Sequence, residues 1–101
     1  MRIPIACSLS ESAAVGQLEE WQTVLAASTV SSQRLSPTEL SLVLGDDLPQ
    51  LEKIVRLAQR EKACCPFFDF ALRIEADAVT LTITVPAEAA SLLDHFGQPR
   101  P

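Results

Sequence analysis

The chain has 101 residues, of which 48% are hydrophobic and 21% charged, and a formal net charge of -5; that is enough for one hydrophobic core and too little for two. The carboxylate excess argues against a direct nucleic-acid partner, since phosphate binding depends on Lys and Arg that displace counterions. No run approaches the roughly 20 apolar residues that cross a bilayer, and the N-terminus lacks the basic, apolar and small-residue succession of a secretion signal, so a cytoplasmic chain without a membrane partner is expected.

In chain order, Ile3, Ile5, Cys7 and Leu9 alternate with Arg2, Pro4, Ala6 and Ser8, which predicts a first strand with one apolar face that includes Cys7. Ser10 is placed to cap a helix whose stripe is Ala14, Leu18, Trp21 and Leu25. Ser28 to Pro37 is Ser-rich and weakly patterned, and reads as a loop passing through a short edge strand around Gln33 to Leu35. Leu40, Leu42 and Leu44 alternate with Glu39, Ser41 and Val43 in the next strand, which Gly45, Asp46 and Asp47 terminate.

Asp47, Leu48, Pro49 and Gln50 combine a capping carboxylate, an early proline and a capping-box Gln, and so start a second helix. Its expected apolar stripe is Leu51, Ile54, Val55 and Ala58, with Cys65 close to the stripe, Glu61 alongside it and Cys64 nearer Leu57. Pro66 stops the helix near Cys64, because the residue before proline avoids helical geometry. Phe68, Phe70, Leu72 and Ile74, then Val79, Leu81, Ile83 and Val85, form a hairpin that turns near Ala76 and Asp77. Pro86 opens a short third helix with Ala89, Leu92, Leu93 and Phe96 inward, and Gly97 closes it.

The order is β-α-β-β-α-β-β-α. Strands with one apolar and one polar face predict an α+β fold of two layers, a largely antiparallel sheet with helices on one face. Residues 1–97 are expected to form the single domain and 98–101 a loose tail. The Thr-rich outer face of the sheet is either solvated or covered by a second subunit, so a homodimer is one expected partner state.

The chemistry-bearing residues are Cys7, Cys64 and Cys65. An odd count with two neighbours does not make a disulfide framework, and a Cys64–Cys65 bridge would close a strained ring, so reduced thiols are expected. If the three meet across sheet and helix, they suit a soft ion such as mercury, copper(I) or zinc. A tetrahedral site would draw a fourth ligand from Glu61, Asp69, His95 or water. Against this stands the reading that Cys7 and Cys65 are small buried hydrophobes. Glu61 reads as a solvated helix-end carboxylate, Asp69 as outward-facing, and His95, the only histidine, as a surface residue. Trp21 with Phe67, Phe68 and Phe70 reads as core, and Lys53, Arg56, Arg60 and Lys62 as a solvated basic helix face.

The block Glu61-Lys62-Ala63-Cys64-Cys65-Pro66-Phe67-Phe68-Asp69-Phe70, followed by the hairpin and Pro86-Ala87-Glu88, resembles small bacterial domains with a Glu-x-x-Cys-Cys-Pro-Phe signature. Some of these stand beside MerR-type regulatory modules that respond to metals or small molecules. The resemblance covers roughly Leu51 to Phe96 and, more loosely, the Cys7 strand. It implies an accessory or sensory domain whose partner is a metal ion or small-molecule effector, with Cys64 and Cys65 as signature positions. The chain has no helix-turn-helix of its own.

Three function classes follow: a soft-metal binding or sensing domain, a thiolate enzyme for redox or bond-cleaving work, and an interaction or small-ligand domain whose cysteines only pack. The enzyme class is disfavoured. No histidine lies in evident reach of the thiols, and a helix C-terminus, whose field opposes thiolate, precedes them.

Overall fold

The structure, a computed structural model, describes residues 11–64 and 67–96; the side chains of 11–15, Cys64 and His95 lie outside the described set. Its elements are α1 (Glu11–Ser28), β1 (Thr29–Ser36), β2 (Glu39–Leu44), α2 (Leu48–Cys64), β3 (Asp69–Ile74), β4 (Val79–Thr84) and a C-terminal 3-10 helix (Ala87–His95). The expected first strand, the Ser10 cap, the Gly97 cap and the tail lie outside the described residues.

The four strands form one antiparallel sheet in the order β1-β2-β4-β3. Register follows from burying alternate residues. On one face Leu40 pairs with Ile83 and Ile83 with Phe70, while Leu42 pairs with Leu81 and Leu81 with Leu72. All the Leu, Val and Ile of these rows on β2 and β4 are buried. The opposite face carries Ser41, Thr80, Thr82 and Thr84, and the helices cover only the apolar face, giving the two-layer α+β arrangement. Trp21, Leu42, Ile54, Leu81, Ile83 and Leu93 are the largest fully enclosed side chains, each contributing about 1.5–3 kcal/mol through burial.

Three expectations change in detail. The segment after α1 is an eight-residue strand rather than a loop with a short strand, and its register shifts at both ends. The C-terminal helix is of 3-10 type, with Ala89 N–H donating to the Pro86 carbonyl. The buried face of α2 is Leu51, Ile54, Leu57 and Glu61, whereas Val55 is exposed. The stripe turns toward Leu57 because α1 packs on that side, bringing Trp21 against Glu61.

α2 begins at Leu48, directly after Asp47 as expected, and the Asp47 carbonyl accepts its first helical bond, from Leu51 N–H, while no side-chain capping bond from Asp47 or Gln50 is seen among the described residues. Gln50 Oε1 accepts from the Ser28 hydroxyl at 3.4 Å and so ties α2 to the end of α1. α2 is described as far as Cys64, and Cys65 and Pro66, where the expected helix stop falls, lie outside the described residues.

Candidate functional site

α1 and α2 run antiparallel. Ser28 meets Gln50 at one end of the pair, and toward the other Trp21 meets Glu61 and Glu20 meets Arg60. The start of α1, which follows Cys7 in the chain, and the end of α2 at Cys64 therefore belong to one end of the helical layer. At that end the Trp21 indole N–H donates to Glu61 Oε1 at 3.0 Å, and the Arg60 guanidinium pairs with Glu20 at 2.7 Å.

Glu61 is not solvated as the sequence suggests. Its side chain is buried, and burial pushes its carboxyl above the ordinary carboxylate value, outweighing the Trp21 hydrogen bond and the Arg60 charge, both of which act to lower it. Cys64 and Cys65 follow three and four positions later in the chain. Gln17, one turn before Trp21 on the same face of α1, has a buried Nε2 without a hydrogen-bond partner.

Aromatic rings close this end of the core. Phe70 stacks on Trp21 with centroids 5.4 Å apart, and Phe96 meets Trp21 edge-on at 5.2 Å. Phe68 lies 5.5 Å from Phe96 and 4.9 Å from Phe67. These rings hold the indole in place, and the indole in turn holds the carboxyl.

Among the predicted ligands, Cys7, Cys65 and the Cys64 and His95 side chains lie outside the described residues. Asp69 is exposed, and its partner Thr84 places it on the outer face of the sheet, away from Glu61. Among the described residues, no three His, Cys, Asp or Glu side chains converge as a metal site. Lys53, Arg56 and Lys62 are exposed as expected, and Arg60 is half-buried.

The sequence reading missed the Trp21–Glu61 pair. The only tryptophan, placed on an apolar helical stripe, carries an N–H that needs an acceptor, and that was the available signal. Compared with known proteins, the chain matches no family model, no curated protein and no solved structure.

Proposed function

We propose that the Cys64 end of the helical layer captures a soft, thiophilic metal ion (mercury, copper(I) or zinc), with Cys7, Cys64 and Cys65 as thiolate donors. The observation that carries this reading is the buried Glu61 carboxyl, fixed by Trp21 and followed three and four residues later in the sequence by the vicinal cysteines. A buried carboxyl there supplies an oxygen donor to complete a tetrahedral ion, and Asp69, on the other face, does not compete for the role. The antiparallel helices support Cys7 as third donor, because the chain reaches α1 from this same end. The resemblance to Glu-x-x-Cys-Cys-Pro-Phe domains favours a sensing or sequestering role, with a metal ion or small-molecule effector as partner.

The test is native mass spectrometry with parallel thiol titration of the reduced protein, with and without one equivalent of zinc, copper(I) or mercury(II). The expected result is one ion per chain with loss of all three reactive thiols. Cys64→Ser or Cys65→Ser should abolish binding, Cys7→Ser should weaken it, and Glu61→Gln should weaken zinc more than mercury. Thiols that react only on unfolding, whichever metal is present, would sink the proposal and favour purely structural cysteines.

A further inference from the structure

We propose that two copies of this chain join edge to edge through β3, in an antiparallel pair whose two-fold axis passes at Ala71. Among the described residues β1 and β3 are the sheet edges. They differ in kind. β1 has register shifts at both ends and an Arg34 side chain engaged with the C-terminal 3-10 helix, features that discourage pairing. β3 pairs with β4 through six residues in uninterrupted register.

The hydrogen-bond parity of β3 is fixed by its neighbours. Glu75 N–H donates to the Ala78 carbonyl, and Val85 N–H donates to the Thr38 carbonyl. In an antiparallel ladder the bonded positions alternate. Asp69, Ala71 and Arg73 therefore bond toward β4, and Phe70, Leu72 and Ile74 turn their N–H and C=O groups to the edge that no described strand covers.

A second β3 centred on Ala71 sets Phe70 opposite Leu72 of the other copy, and all four backbone groups of each such pair are matched. The same register sets Asp69 opposite Arg73 twice, once on each side of the axis. Shifting the centre to Leu72 would set Asp69 against Glu75, and shifting it to Arg73 would set two arginines together, so charge selects Ala71.

The helix layer leaves room for this partner. α2 stops short of the edge, so Phe70 and Leu72 are only half-buried although their neighbours Ile83 and Leu81 are enclosed. Ile74 is 72% exposed, Leu48 66% and Val55 45%, and these three flank one groove between α2 and β3. A two-fold perpendicular to the sheet lays the second α2 antiparallel beside the first, closes this apolar groove, and brings Glu52 from one end of the flank toward Lys62 from the other.

Sedimentation velocity of the full chain should give a dimer. Asp69→Arg, at an exposed position, should raise its dissociation constant about ten-fold or more by setting Arg against Arg73, and adding Arg73→Asp should restore the dimer. Under mild oxidation, Ala71→Cys should link the two copies through a disulfide at the axis, identifiable by peptide mapping. A monomer would overturn the proposal; if its Phe70 and Leu72 amides exchange slowly, the edge is covered by its own chain. A dimer indifferent to Asp69→Arg would overturn it equally.

Discussion

Glu61 concentrates the chemistry of the described structure in one side chain. Its carboxyl sits above the ordinary carboxylate value because burial penalises the charged form more than Trp21 and Arg60 favour it. The folded protein therefore holds the proton more tightly than the unfolded chain does. Stability from this group is full below the unfolded carboxylate value and is lost as pH rises through the raised folded value. Glu61→Gln keeps an oxygen acceptor for Trp21 and removes the charge, so it should match or exceed the parent in stability at neutral pH and show less decline between weakly acidic and neutral pH. Urea denaturation followed by circular dichroism at several pH values checks this, and a Gln variant that loses stability at neutral pH would contradict it.

At the scale of elements, one side chain ties the edge strand β1 to the C-terminal 3-10 helix. Arg34 donates to Asp94 Oδ1 at 2.7 Å, to the Ala90 carbonyl at 3.0 Å and to the Pro37 carbonyl at 3.1 Å, tying the strand to the 3-10 helix. The pair is partly exposed, so Arg34→Ala should cost only about 1 kcal/mol. Arg34→Lys should not recover it, since the guanidinium also donates to the Ser36 carbonyl, four acceptors in all, and an ammonium has three N–H bonds and no planar fork. Faster amide exchange across Ala87–His95 would localise the loss. β1 was also the element least legible in the sequence. Its helix-side positions are Ser32 and Arg34, which pair with Leu42 and Leu40, so no apolar alternation marks it. β2 and β4 were legible because both sides of each are paired and every second residue is buried. α2 was legible in its ends but not in its rotation: periodicity gives the width of a stripe, while the partner across it, Trp21 at a separation of 40 residues, decides which edge is covered. Glu61 was misread for the same reason. No local window contains its donor.

As a whole molecule, the described residues share one core that draws on every element except β1 and β3 for its fully buried hydrophobics, with Phe70 and Leu72 of β3 packed against it. Leu42 is at its centre with no exposed surface. Leu42→Ala should destabilise by about 3 kcal/mol, whereas Gln33→Ala, exposed on β1, should stay within about 0.5 kcal/mol. Both values are measurable by chemical denaturation, and near-equal costs would mean that the sheet face has been assigned wrongly. The chain contains a single Trp and no Tyr, and that indole is wholly enclosed between Phe70 and Phe96 with its N–H on a carboxyl. The protein thus carries a built-in optical probe: near-ultraviolet emission from one fluorophore reports the folding of the core and the ionisation of Glu61, with no competing signal to subtract.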